Sequence, residues 1–150
     1  CMGNICRSPA AEGVLKHKLK KHPLHKQVVC DSAGTSGFHI GEPPDSRMIR
    51  SAAKRGIVLE GSSRALTIRD FMDFDLILTM DEDNRRAVYA LARDRQDETK
   101  IRPFCTFLKT GAFKEIPDPY YGATTGFELV LDLLEEGCDN LLAHLASTMK

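Results

Sequence analysis

Apolar side chains recur along this chain in two rhythms. From residue 9 to 21, Ala10, Ala11, Val14, Leu15 and Leu19 share one face at helical spacing, with Ser8 placed to cap the helix and Pro9 suited to its first turn. A longer stretch, about 125 to 147, carries Phe127, Val130, Leu131, Leu134, Cys138, Leu141, Leu142 and Leu145 at the same spacing, which predicts a helix with one continuous buried face. Between them the pattern changes to short β-branched or unbroken apolar runs. "QVVCDSAG" (27–34) and "DFDLILTM" (73–80) read as buried strands, and "KIRPF" (100–104) is a further candidate. Polar helical stretches fill the intervals: Asp45 caps a helix running to about Arg55 and stopped by Gly56, and Asp81 precedes another from about 82 to 93. Strands alternating with helices predict an α/β fold with a parallel sheet covered on both faces, whose ligands lie beyond the carboxyl ends of the strands.

Composition narrows the picture. With 150 residues, 42% of them hydrophobic, the chain suits one domain over 1–150. The 21 basic and 21 acidic side chains cancel, so no overall field favours nucleic acid, and any anion has to be bound locally. The basic run "KHKLKKHPLHK" has no interleaved aromatics and reads as a solvated helix end whose lysines complement the dipole. No apolar run reaches the roughly 20 residues of a membrane span, and no signal-peptide pattern is present. Five cysteines, an odd number without a C-x-x-C pair, suit free thiols in a reducing, cytoplasmic compartment rather than a zinc site.

The candidate chemistry sits in the opening "CMGNICRSP". A cysteine six positions ahead of an arginine means little alone, since this composition yields about 0.4 such pairs by chance. Its setting supplies the meaning. Gly3 and Asn4 tolerate left-handed backbone angles, and a helix start follows directly, so the N–H groups of Met2, Gly3, Asn4, Ile5 and Cys6 can curl into an anion nest at a positive helix end. Arg7 adds a planar fork matched to two phosphate oxygens, and a cation in a first helical turn is better explained by an anionic partner than by the dipole it opposes. Cys1 at the base of the loop would have its thiol lowered from about 8.5 into the range of activated thiols and face the phosphoryl group as a nucleophile. An acid is needed for the leaving oxygen, and Asp118 in "IPDPYYG", stiffened by Pro117 and Pro119, is the candidate. Tyr120 and Tyr121 beside it read equally well as aromatic anchors of a turn.

Together "CMGNICRSP" and "DPYYG", with "DSAGTSGFHIG", "PPDSR" and "FDLILTMD", resemble the low-molecular-weight protein tyrosine phosphatases over nearly the whole chain. The resemblance implies a single three-layer α/β domain with a four-stranded parallel sheet, no cofactor and no metal. It implies Cys1 as nucleophile, Arg7 as phosphate-binding arginine, Asp118 as general acid, Asn4 as the residue holding the loop, Ser8 as donor to the thiolate and Ser32 as support for Asn4. Phe38, Tyr120 and Tyr121 would wall the substrate cleft. Phosphotyrosine proteins would be the substrates, and inorganic phosphate the product and inhibitor. Cys6, a small packing residue on one reading, would on the other trap an oxidised Cys1 as a disulfide. The family has a hydrophobic strand leading into its nucleophile, so upstream residues supplying that strand are expected. Rival readings are a thiol-dependent arsenate reductase, which needs a close resolving thiol pair that Cys30, Cys105 and Cys138 do not form; a phosphoarginine phosphatase, which carries threonine where this chain has Ile5; and a catalytically silent phosphotyrosine-binding module.

Overall fold

A computed structural model of the chain describes residues 1–109, 111–120 and 124–149. The first helix, α1 (Arg7–Leu19), starts two residues earlier than the apolar pattern alone indicates, so its N-cap position is Cys6 and Ser8 lies inside the first turn instead of capping it, its hydroxyl being engaged by Asn4 and Cys1. Its buried face is Ala10, Val14, Leu15 and Leu19, and Lys16, His17 and Lys18 occupy the last turn, where cations favour the dipole. Helix α2 (Ser46–Ala53) is capped as expected: the Asp45 carboxylate accepts from the Arg47 N–H at 2.8 Å, and Gly56 takes a φ of 74° just beyond the end. After a short α3 (Arg69–Asp73) comes strand β1 (Ile77–Thr79). Asp81 then opens α4 (Glu82–Leu91) through a reciprocal capping box with Asn84. Helix α5 (Arg95–Thr99) leads into β2 (Ile101–Pro103) and a 3-10 turn, Phe104–Phe107. The long apolar stripe forms α6 (Thr124–Thr148).

Strands β1 and β2 pair in parallel, Ile77 opposite Ile101 and Thr79 opposite Pro103, where the missing proline N–H helps to end the ladder. Helix α6 packs against α1, and the fully buried Phe127, Val130, Leu131 and Leu134 meet Ala10, Val14, Met48 and Phe104 in the main core. Among the described residues the sheet holds these two strands, with one further parallel bridge, Gly34 to Ala65. The expected strand over 27–34 is therefore not formed as a ladder. A cavity of about 590 Å3 lies between residues 28–32 and the strand at 77–79, so the segment has no neighbour within pairing distance on that side, and Val29 is 83% exposed. Thr79, which also lines this cavity, has a buried hydroxyl without a hydrogen-bond partner. Among the described residues no helix is long and apolar enough to cross a membrane.

Candidate active site

The opening loop closes because its carbonyl groups are drawn outward. Cys1 O accepts from the Thr35 N–H at 2.9 Å and Met2 O from the Ser36 N–H at 2.9 Å. Gly3 O accepts from the Ser63 hydroxyl at 2.8 Å, and Ile5 O from the Asp45 N–H at 2.6 Å. With four carbonyls turned to the surrounding shell, the peptide N–H groups are left for the concave side, which is the geometry of an anion nest. Gly34 permits this shell to approach: a methyl group there would lie 2.6 Å from Met2 O.

Asn4 is the one non-glycine residue among those described with a left-handed backbone, φ 55°. The conformation is stabilised by its side chain, which is buried and fully used. Nδ2 donates to Ser8 Oγ at 2.9 Å and to Ser32 Oγ at 3.0 Å, while Oδ1 accepts from the Arg64 N–H at 3.0 Å. The Ser32 hydroxyl in turn donates a hydrogen bond to Glu12 Oε1 at 2.6 Å. Ser8, already accepting from Asn4, has its hydroxyl proton free for Cys1 Sγ, 2.9 Å away, and the Ser8 N–H points at the same sulfur at 3.5 Å. The sulfur thus lies beneath two donors at the amino end of α1, a setting that favours negative charge.

Arg7 is 2% exposed. Its Nη1 donates to Asp81 Oδ2 at 2.8 Å and to the Ile116 carbonyl at 2.9 Å, and Nη2 stands 3.5 Å from Asp118 Oδ2. Burial works against ionised Asp81, but the Asn84 N–H and the Arg7 guanidinium outweigh it and hold the carboxyl below the usual range. Asp118 is partly exposed, and its Oδ1 accepts from the Tyr120 N–H at 3.1 Å. Cys6 is buried, and burial first, then the charges of Asp45 and Asp118, push its thiol up to about 12.

At the mouth, the Phe38 ring is 85% exposed and meets His39 edge-on at 4.9 Å, and the Tyr120 ring centroid is 6.3 Å from His39. Cys1, Arg7, Asp118, Asn4, Ser8 and Ser32 therefore lie in one set of contacts, with Phe38 and Tyr120 on either side of His39 beside it. Tyr121 lies outside the described residues. Sequence reasoning missed Asp81, Ser63, Glu12 and His39. Asp81 carried a usable signal, an acid just past the carboxyl end of the strongest strand. His39 lies against the loop so closely that a methyl group on Gly3 would meet its Cδ2 at 2.7 Å, and it hydrogen-bonds Glu42.

Comparison with known proteins is consistent along the whole chain. The family model described as low molecular weight phosphotyrosine protein phosphatase matches residues 1–150. A putative low molecular weight protein-tyrosine-phosphatase of Synechocystis, slr0328, is 46% identical over 149 residues, covering 99% of this chain and 95% of the relative. The low molecular weight protein-tyrosine-phosphatase YfkJ of Bacillus subtilis is 35% identical, over 97% of this chain and 92% of its own length. Among solved structures, the protein tyrosine phosphatase of Entamoeba histolytica with Hepes in its active site superposes with a TM-score of 0.95 at 41% identity, covering 100% of this chain and 96% of that one. The crystal structure of YfkJ gives 0.92 at 34% identity, covering 100% and 93%. A family match from the first residue to the last, relatives this similar over nearly their full length and one shared fold lead to a single assignment: the chain belongs to the low molecular weight protein-tyrosine phosphatases.

Proposed function

We propose that the chain, as one domain over 1–150, hydrolyses phosphotyrosine in proteins, and small aryl phosphates, through a phosphocysteine intermediate. The observation that carries this reading is the stacking of groups: Cys1 Sγ under the Ser8 donors, with Arg7 buried at the loop's end and Asp118 3.5 Å from it. The loop's N–H groups, those of Met2, Gly3, Asn4 and Cys6 being the ones set opposite outward carbonyls, together with the rest of the loop and the Arg7 fork hold the phosphoryl oxygens. Cys1 thiolate attacks phosphorus in line, the P–O bond to the aryl group breaks, and Asp118 gives its proton to the departing phenolate oxygen. In the second step the Asp118 carboxylate takes a proton from water, which attacks phosphorus and breaks the P–S bond. Ser8 stabilises the departing thiolate, and inorganic phosphate is both product and inhibitor. Phe38 and Tyr120, joined by Tyr121 from outside the described residues, flank the ring of the substrate, which favours phosphotyrosine over the shorter phosphoserine.

Rapid quench with labelled substrate tests the intermediate. Wild type should yield acid-stable phosphocysteine at Cys1, and Cys1→Ser should bind phosphate without turning over; substantial turnover by that variant removes the assignment in favour of a different nucleophile, and a wild type that binds phosphate without turnover leaves a binding module.

The same reading extends to the sheet. A strand leading into Cys1 and lying in the 590 Å3 cavity between residues 28–32 and 77–79 would complete a four-stranded parallel sheet and offer the Thr79 hydroxyl a partner. Adding an apolar amino-terminal extension should then raise both Tm and activity, and no change in either would refute the four-strand arrangement. All five cysteines are free thiols, which supports a cytoplasmic setting. Redox control follows the same thiols: peroxide oxidises Cys1 to the sulfenic acid, and the Cys6 thiol condenses with it, forming the disulfide and releasing water.

A further inference from the structure

Arg47 joins the two halves of the site without touching either reacting group. Its Nε and Nη2 grip the Asp45 carboxylate at 3.2 and 3.0 Å, and Nη2 also donates to the Tyr120 carbonyl at 2.9 Å. The guanidinium lies 5.4 Å from the Tyr120 ring centroid and 4.8 Å from that of Phe127, a fully buried side chain of α6. Asp45, in turn, donates its N–H to Ile5 O of the opening loop at 2.6 Å. At the other end of the chain of contacts, the Tyr120 N–H is the group that orients Asp118 Oδ1, at 3.1 Å. One continuous path therefore runs from the phosphate loop through Asp45 and Arg47 to Tyr120 and the Asp118 carboxylate. Two of its links are a bidentate ion pair and a cation in contact with two aromatic rings, both of which resist sliding.

We infer that Arg47 is a positioning residue for proton donation: by holding the Tyr120 backbone, through its carbonyl, in register with the phosphate loop, it places Asp118 over the leaving oxygen. This rests on Asp118 being the general acid. Proton transfer needs the donor within hydrogen-bond reach of the leaving oxygen, and a displacement of about 1 Å can cost on the order of 100-fold. Phosphate binding, set by the loop and Arg7, needs no help from Arg47.

The experiment compares kcat/KM across aryl phosphates of graded leaving-group pKa for wild type, Arg47→Met, Arg47→Lys, Asp45→Asn and Asp118→Asn, with inhibition by inorganic phosphate and Tm measured for each. Arg47→Met should lose roughly 10- to 100-fold on phenyl phosphate but less than about 3-fold on a dinitrophenyl ester. That steeper dependence should approach the one seen for Asp118→Asn, while the inhibition constant for phosphate stays within about 2-fold. Lysine, with a charge but no fork, should fall between Met and wild type. Asp45→Asn keeps an oxygen to cap α2 yet weakens the ion pair, so it should steepen the dependence if Arg47→Met proves too unstable to assay. An equal loss across the series in the Arg47 variants, with Asp118→Asn steep, overturns the positioning role and leaves a structural one. A flat response in Asp118→Asn itself overturns the acid assignment and this inference with it.

Discussion

Replacing Asp81 separates two jobs that its carboxylate performs at once. Oδ2 pairs with Arg7 Nη1 at 2.8 Å, and Oδ1 caps α4 by accepting from the Asn84 N–H at 2.8 Å. Removing one partner of a buried ion pair costs about 3–5 kcal/mol, and an exposed pair is worth about 0–1. Here the arginine side chain is 3% exposed but Asp81 is 21% exposed, and Arg7 keeps the Ile116 carbonyl and a 3.5 Å contact with Asp118. An intermediate loss of about 2 kcal/mol follows for Asp81→Asn, which can still cap the helix. Asp81→Ala forfeits the cap as well, about 1 kcal/mol more. For a chain of this size 1 kcal/mol moves Tm by about 2–4 °C, so asparagine should lower it by roughly 4–8 °C and alanine by roughly 6–12 °C. Thermal scans near pH 7 with and without inorganic phosphate provide the assay. Phosphate should restore most of the asparagine loss, because the dianion supplies the counter-charge that Arg7 has lost. The pH dependence has a definite sign: a carboxyl held below its ordinary pKa stabilises the fold above about pH 3.9, and that contribution disappears as pH falls through the folded value. The gap between wild type and Asp81→Asn should therefore close in acid and persist at neutrality. A Tm within 2 °C of wild type at pH 7, or a gap that widens in acid, would refute the reasoning.

Other substitutions probe the loop and its rim. Arg7→Lys should be nearly as inactive as Arg7→Ala, since a point charge cannot reproduce the fork, and retention of most of the rate by lysine would show that geometry is not the cause. Gly34→Ala puts a methyl group 2.6 Å from Met2 O, so it should cut activity at least 10-fold by displacing the loop; activity and phosphate inhibition like wild type would mean that the backbone absorbs the clash. Peroxide should inactivate the wild type reversibly, with dithiothreitol restoring activity, whereas Cys6→Ser should be inactivated irreversibly. Mass spectrometry that finds no Cys1 to Cys6 crosslink in the oxidised wild type would return Cys6 to a packing role.

Where the physics is local, the sequence alone determined the outcome. Gly3 and Asn4 dictate a tight turn ahead of a helix, and the stripe from Phe127 to Leu145 dictates α6, because the one depends on backbone preference and the other on a period of 3.6 residues. The 73–80 run and "KIRPF" pair in parallel as their burial requires. Helices α3 and α5, five residues each, are too short to display a period in the sequence. Tertiary structure alone decided the rest. Whether 27–34 becomes a ladder depends on a neighbour to pair with, and no property of its own apolar residues supplies one. Partners far apart in the chain complete the site: Arg7 with Asp81, Gly3 with Ser63, Asn4 with Ser32 and Arg47 with Tyr120. Each of these contacts pairs a side chain with a group at least 28 positions away, and patterning records only which face of its own element a residue occupies, never which distant group that face will meet.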